Sequence, residues 1–156
     1  MYHHYFSVPR DFPRPFIHIV ADNYGIIGVS FVEQMHEKES KNIHIEQCIK
    51  ELQEYFNGER NNFSVILNPT GTNFQKRVWQ QLREIPYGES WRYKELAIAL
   101  GSANFCRAVG MANSRNPIAL IIPCHRVIGR DGKLVGYTGG LDIKNWLLDY
   151  EKMGII

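Results

Sequence analysis

Ile118-Ala-Leu-Ile-Ile-Pro-Cys-His-Arg-Val127 is a short apolar run that stops at a proline and passes directly into a thiol, an imidazole and a fixed cation. Pro123 lacks an N–H and has a fixed φ, so regular sheet pairing must end there. A thiol is a weak nucleophile at its reference pKa of about 8.5 and a strong one as thiolate. His125 and the neighbouring cation Arg126 are groups that would favour the thiolate of Cys124. Taken alone, the pair also fits a half-buried cysteine beside a surface histidine. The surrounding sequence decides between these readings.

Downstream, Gly129–Gly132 reads as a tight turn and Gly136-Tyr-Thr-Gly-Gly140 as a flexible loop. A last helix, Asp142–Glu151, would turn Ile143, Leu147 and Tyr150 inward. Glu151 is an unusual acid near a helix C-terminus, where the macrodipole disfavours negative charge. A cationic partner, such as a protonated histidine, would account for it.

Upstream, the composition changes at Pro69–Gly71. Thr72 or Asn73 can cap a helix carrying Phe74, Val78, Trp79, Leu82 and Ile85 at helical spacing, and Pro86-Tyr87-Gly88 stops it. A second helix, about Tyr93–Leu100, ends at Gly101. A third, capped by Ser102 or Asn104 and running over about Asn104–Ser114, ends before Asn116-Pro117. Two short helices around a glycine-containing turn form a helix-turn-helix candidate. Cys106, Ala108, Gly110 and Ala112 of the third helix are small, with Arg107 near its start and Arg115 just past its end. A helix so poor in base-reading side chains suits close, sequence-tolerant contact with a minor groove, with Arg107 as an inserted side chain. Close packing against another helix is the competing explanation.

The first third of the chain reads differently. Phe16–Val20 and Gly25–Val32 are β-branched and aromatic runs separated by the turn sequence Asp22-Asn-Tyr-Gly25. Ile45, Cys48, Ile49, Leu52 and Phe56 mark an amphipathic helix over Ile43–Asn57, with Gly58 at its stop. Phe63–Leu67 reads as another strand. His3-His4 reads as a stray of the N-terminus, and nothing catalytic is evident in this lobe. The fold class is therefore α+β: a sheet-and-helix lobe over residues 1–69, then a mainly helical domain over 70–156.

Charge divides the same way. Residues 1–70 carry six Lys/Arg against nine Asp/Glu, whereas residues 71–156 carry twelve against seven. The basic excess lies in the segment that holds the Cys-His pair, which suits a polyanion such as nucleic acid. Three cysteines, Cys48, Cys106 and Cys124, lie far apart without a Cys-x-x-Cys pair, and the six histidines do not fall at metal-ligand spacing. Neither a disulfide framework nor a metal is expected. No apolar run has membrane-spanning length and no signal-peptide pattern opens the chain, so a cytoplasmic protein without a membrane partner is expected.

Gly71-Thr-Asn-Phe-Gln-Lys-Arg-Val-Trp, Ile85-Pro-Tyr-Gly-Glu, Tyr93, Arg107-Ala-Val-Gly, Asn116-Pro, Ile122-Pro-Cys-His-Arg-Val-Ile-Gly and Gly136-Tyr-Thr-Gly-Gly-Leu, followed by Trp-Leu-Leu and Glu151, resemble the O6-alkylguanine-DNA alkyltransferases. Pro-Cys-His-Arg-Val is the most specific piece, and the match covers residues 71–151 in order. The resemblance implies a ribonuclease H-like fold for the N-terminal lobe. It implies DNA repair by direct reversal, in which Cys124 takes an alkyl group from O6 of a guanine flipped out of double-stranded DNA, with O4-alkylthymine as a second substrate. In those terms His125 is a base acting through a water, Glu151 orients and charges it, and Asn116 braces the turn. Tyr93 donates a proton or hydrogen bond to N3 of the departing base. The backbone of Cys124 and Val127 binds the base, Tyr137 and Thr138 line its pocket, and Arg107 fills the gap in the stack. Arg92, Lys94, Arg115 and Arg126 and the small residues Cys106, Ala108 and Gly110 fall to DNA binding. The resemblance implies no cofactor, and the protein is expected to act as a monomer.

Elementary chemistry agrees. Neighbouring side chains of an extended segment point apart, so a water between His125 and the sulfur suits the geometry better than direct contact. Alkyl transfer leaves a thioether with no activated carbonyl for water to attack, so each molecule should act once. Two departures from the family pattern stand out: Arg92 replaces a small hydroxyl residue, and Asn113-Ser114-Arg115 replaces a glycine-containing turn. A non-catalytic lesion sensor would lack the thiol. A cysteine hydrolase would not need the helical pair, and a transcriptional regulator would need an effector module that is not evident.

Overall fold

The computed structural model describes residues 1–132, 136–137 and 139–154. The chain divides into two compact units, Met1–Thr70 and Gly71–Ile156.

In the first unit β1 (Tyr2–Ser7), β2 (Phe16–Ala21) and β3 (Ile26–Val32) form an antiparallel sheet in sequence order. The register sets Ile17 opposite Phe6 and Phe31, and Ile19 opposite His4 and Val29. Alternation along β2 buries Ile17, Ile19 and Ala21, the period-two pattern of a half-buried strand. The turn between β2 and β3 is closed by the Asp22 carboxylate, which accepts from Tyr24 N at 2.8 Å and Gly25 N at 3.0 Å. Helix α1 (Ile43–Phe56) packs on the sheet through Ile45, Cys48, Leu52 and Tyr55, all fully buried. Asn42 Oδ1 caps it by accepting from Ile45 N at 3.0 Å, worth about 1 kcal/mol.

Two expectations for this unit are corrected. His3 and His4 are not a stray terminus but lie within β1, where His3 Nδ1 sits 2.9 Å from His18 Nε2. Phe63–Leu67 forms no strand. Only Leu67 makes an isolated parallel bridge, to Ile26. The cause is Glu51, a buried acid of α1 whose carboxylate accepts from Ser64 N at 2.9 Å, Val65 N at 3.2 Å and Ser64 Oγ at 2.7 Å. Backbone donors that a sheet ladder would need are spent on a side chain.

The second unit is mainly helical. Helix α2 (Asn73–Leu82) opens on a reciprocal cap in which Thr72 Oγ1 accepts from Gln75 N and Gln75 Oε1 accepts from Thr72 N. It buries Val78, Trp79 and Leu82, and the Trp79 indole donates to the Ala112 carbonyl at 2.9 Å. Gly71 is required where it stands, because a Cβ there would lie 2.5 Å from the Trp79 ring. Helices α3 (Tyr93–Ala99) and α4 (Cys106–Ser114) pack together across a connection containing Gly101 at φ +122° and a 3₁₀ turn at Ala103–Phe105. Strands β4 (Trp91–Arg92) and β5 (Val127–Ile128) pair in parallel, Trp91 with Val127 and Arg92 with Ile128. This short ladder brings the first residue of α3 beside the segment that carries Cys124. Helix α5 (Leu141–Met153) buries Ile143, Lys144, Leu147, Leu148 and Glu151. The fold is α+β as expected, a sheet-bearing unit followed by a helical one. No helix among the described residues is long and apolar enough to cross a membrane.

Candidate active site

The polypeptide reaches Cys124 through a compact series of turns. Asn116 Oδ1 accepts from Ile118 N at 2.9 Å, and Asn116 Nδ2 donates to the Ile122 carbonyl at 2.8 Å and to Cys124 Sγ at 3.1 Å. One side chain therefore closes the loop and also touches the sulfur. Ile118, Leu120, Ile121 and Ile122 are buried. Leu120 has φ 71°, the only positive value at a non-glycine among the described residues. Holding a bulky side chain in that region costs on the order of 1–3 kcal/mol, and burial of the apolar run offsets it. Nothing in the sequence marks this strained position.

Cys124–Arg126 forms a single 3₁₀ turn, with Arg126 N donating to the Pro123 carbonyl at 3.0 Å. The expectation of an extended segment here is corrected. The apolar run before Pro123 is itself a series of turns, not a paired strand, and the next residues coil because the Pro123 carbonyl finds its partner three residues on. Successive side chains of such a turn diverge by about 120°, so His125 and Arg126 leave Cys124 in different directions.

Both meet Glu151 on α5. His125 Nε2 lies 2.9 Å from Glu151 Oε2, Arg126 Nε donates to Oε1 at 2.8 Å, and Arg126 NH2 donates to Oε2 at 3.1 Å. Arg126 NH1 donates to the Ile85 carbonyl at 2.7 Å, and the guanidinium lies over the Tyr87 ring. All three residues are at most 5% exposed. The assignment of Arg126 to DNA binding is therefore corrected. Its charge neutralises a buried carboxylate and cannot reach a phosphate.

The electrostatics follow from this packing. Burial alone would push the Glu151 carboxyl up, but His125 and Arg126 hold it well below the usual carboxylate range. Burial pushes the His125 imidazole below its ordinary value, and Glu151 opposes this only in part while Arg126 and Lys144 reinforce it. Because Arg126 already balances the carboxylate, the pair rests as ionised Glu151 and neutral His125. An ionised carboxylate accepts, so Nε2 carries the proton. His125 Nδ1 is buried, has no hydrogen-bond partner, and is then the basic nitrogen.

Burial raises Cys124, while Asn116 and the Lys144 ammonium pull it down. The cation that favours the thiolate is thus Lys144, not the adjacent Arg126. Lys144 was missed from sequence, although it precedes Glu151 by two helical turns and so shares its face of α5. It is completely buried, a rare state for lysine; burial pushes its ammonium below its ordinary value, and Cys124 opposes this in part. Tyr137 faces the same group, since burial and then Cys124 raise its phenol. Tyr93, the first residue of α3, lays its ring edge against α4 at Gly110, and its phenol is raised by burial and by Cys124. Val127 is buried in β5. Thr138 lies outside the described residues.

Residues 73–153 match the family described as 6-O-methylguanine DNA methyltransferase, DNA binding domain, and residues 1–69 match the ribonuclease-like domain of that name. The chain belongs to the 6-O-methylguanine DNA methyltransferase family. It is 42% identical to a methylated-DNA--protein-cysteine methyltransferase of Methanosarcina mazei over 158 residues, covering 97% of this chain and 98% of that one. It is 47% identical to the Methanosarcina acetivorans protein of the same name over 139 residues, covering 85% and 89%. Among solved structures, Mycobacterium tuberculosis OGT in complex with DNA superposes with a TM-score of 0.86 at 37% identity, covering 99% of this chain and 94% of that one.

Within this family member, Cys124, His125, Glu151, Asn116, Tyr93, Tyr137 and Val127 come together in the second unit. The residues expected to meet DNA fall elsewhere in that unit. Arg92, Lys94, Arg107, Ala108 and Arg115 are exposed, and Cys106 and Gly110 are half-buried. Arg107, Ala108, Met111 and Arg115 are all exposed at helical spacing, so the outward face of α4 and its end carries two cations around a small residue and a methionine.

Proposed function

We propose that this protein repairs DNA by direct reversal, moving the alkyl group of O6-alkylguanine in duplex DNA to Cys124 once per molecule. One observation carries the assignment: a thiol held by Asn116 and faced by a buried ammonium lies beside a histidine whose basic nitrogen is free and whose other nitrogen is fixed by a carboxylate. Such a group serves nucleophilic attack. The family's DNA-binding description supports DNA as the partner.

In the reaction, His125 Nδ1 takes the thiol proton through a bridging water. The resulting imidazolium is balanced by Glu151, and the thiolate by Lys144. Sulfur bonds to the alkyl carbon, the carbon–O6 bond breaks, and its electron pair passes into the purine. Tyr93 hydrogen-bonds N3 as negative charge develops there, which makes the base a better leaving group. The departing guanine regains one proton and the imidazolium releases the one it took, so protons balance, and the thioether product offers no carbonyl for a second, hydrolytic step.

A base inside a duplex is out of reach, so the target must be everted. The exposed Ala108 beside Arg107 on α4 suits close approach to a minor groove, with Arg107 taking the vacated place in the stack and Arg92, Lys94 and Arg115 on phosphates. Val127 backbone groups, Tyr137 and Thr138 complete the pocket, and the protein acts as a monomer. O4-alkylthymine presents the same alkyl–oxygen bond and is a candidate second substrate for the same assay.

The test is mass spectrometry after incubation with duplex DNA containing O6-methylguanine. One added methyl mass is expected on the peptide bearing Cys124, and none with undamaged duplex. Methyl acceptance by Cys124→Ser at another residue would overturn the acceptor assignment.

A further inference from the structure

Met111 is the unexplained residue of α4. It is 62% exposed, while the opposite side of the helix buries Val109, Ala112 and Asn113. A single apolar side chain on a surface is ordinary, so exposure alone assigns nothing. Its position does. At about 100° per residue, the exposed residues Arg107, Ala108, Met111, Ser114 and the cap Arg115 span an arc of about 120°. Met111 falls at the middle of that arc, with a cation four residues to either side. Ser114 Oγ donates to the Met111 carbonyl at 2.7 Å, so the apex stands on a closed last turn.

A face with cations toward both ends attracts a polyanion, and the repair reading lays it on a minor groove. That groove is about 6 Å wide in B-form DNA, and a helix with its side chains is about 10–12 Å across. The body of α4 must stay outside, so the side chain at the apex is the one that enters. A cation there could bend back to the phosphates on either rim. Methionine gains nothing from phosphate and can gain only from sugar walls and base edges. It is among the apolar side chains that minor-groove proteins insert between base steps, unstacking and kinking the duplex. Its unbranched thioether adapts to irregular space.

We propose that Met111 is a minor-groove wedge that enters beside the everted nucleotide and prises the neighbouring base step apart while Arg107 holds the vacated place. This rests on the alkyl-transfer reading above and adds a DNA-deforming residue to it. Arg107 lies one turn earlier, about 6 Å along the helix axis, and stacked bases are about 3.4 Å apart. The two side chains therefore act within about two base steps of each other. Arginine brings charge to the gap, and methionine opens the stack without a phosphate contact of its own.

All four methionines, Met1, Met35, Met111 and Met153, are exposed, so limited peroxide oxidation to the sulfoxide gives a footprint with internal comparisons. Cys124→Ser protein, which holds the complex before transfer, is saturated with a duplex containing O6-methylguanine, and sulfoxide is measured at each methionine by mass spectrometry. Met111 is expected to be protected by DNA more strongly than the other three. In the same background, Met111→Leu should bind the duplex like the native side chain. Met111→Gln should bind about tenfold or more weakly, the loss of one buried apolar side chain. Its slope of log affinity against log salt should be unchanged, because Met111 neutralises no phosphate. 2-Aminopurine in the base step beside the lesion brightens on unstacking, and at saturation Met111→Gln should reduce that brightening. With Cys124 present, Met111→Gln should slow methyl transfer from the duplex and leave transfer from a single strand unchanged, since a single strand has no groove. An unprotected Met111, equal affinity of the leucine and glutamine variants, an unchanged 2-aminopurine signal, or equal slowing on both substrates would each overturn the proposal. A native chain that accepts methyl from neither substrate would instead sink the alkyl-transfer reading.

Discussion

Glu151→Gln separates the structural and chemical work of the buried carboxylate. Three contacts of 2.8, 3.1 and 2.9 Å converge on its two oxygens, two from Arg126 and one from His125. An amide keeps the shape but removes the charge. Arg126, 5% exposed, would then be a buried cation without a counterion, at a cost on the order of 3–5 kcal/mol. For a cooperative unit of this size that corresponds to a Tm lowered by at least about 10 °C. The chemical effect has another origin. A glutamine that keeps the shorter 2.8 Å bond from Arg126 Nε with its oxygen at the Oε1 position turns its NH2 group toward His125 Nε2. That nitrogen becomes the acceptor, the imidazole proton moves to Nδ1, and the basic nitrogen is lost. An analogous carboxylate-to-amide exchange in a Ser-His-Asp hydrolase costs about 10⁴-fold, and a loss of about 10³-fold or more is expected here. Stopped single-turnover methyl transfer, run well below the variant's own Tm and scored per folded molecule, reads this directly. Transfer within tenfold of native in a folded Glu151→Gln protein would refute the tautomer argument and with it His125 as the base.

The remaining predictions concern pH, the buried lysine and the DNA-facing cations. Because burial depresses the folded His125 pKa, the transfer rate should be flat around pH 7 and fall only as acid protonates the imidazole below its ordinary value; an inflection above pH 7 would contradict this. Folding stability should move in the same sense. Groups with depressed folded pKa values, His125 and Glu151, contribute stability above their unfolded pKa values and lose it as pH falls, so acid titration of unfolding should show loss from about pH 6.5 downward. Lys144→Met should slow transfer at neutral pH and move the pH–rate profile of Cys124 to higher pH, as measured by thiol alkylation; an unmoved profile would remove Lys144 from thiolate stabilisation. Arg115→Ala, at an exposed cation, should lower the slope of log affinity against log salt by about 0.9 and leave transfer at saturation unchanged.

Much of the architecture follows local rules that a sequence displays. The Thr72 cap, the apolar stripes of α1 and α2 and the turn at Asp22 all express short-range chemistry. What escaped notice depended on partners distant in the chain. Phe63–Leu67 has the composition of a strand, but Glu51 takes its backbone donors, and no local pattern announces that theft. Arg126 looks like a surface cation in a basic segment until Glu151, 25 residues on, is placed beside it. Lys144 could have been found from its two-turn spacing to Glu151, had burial of that helix face been assumed to include its charges.

The arrangement of charge also explains how a single-use nucleophile can remain unspent. At rest Glu151 and Arg126 form an ionised pair, burial keeps the Cys124 sulfur protonated and His125 neutral, and burial draws the Lys144 ammonium below its ordinary value with Cys124 opposing in part. A buried thiol in that state reacts slowly with oxidants and stray electrophiles, since the thiolate is the reactive form. Proton transfer to His125 creates two new charges at once, and each has a counterion already in place: Glu151 for the imidazolium and Lys144 for the thiolate. No side chain has to move to stabilise the ion pair. The resting cost of holding Lys144 and Arg126 away from water is therefore the same feature that lowers the barrier when substrate arrives, in line with electrostatic preorganisation.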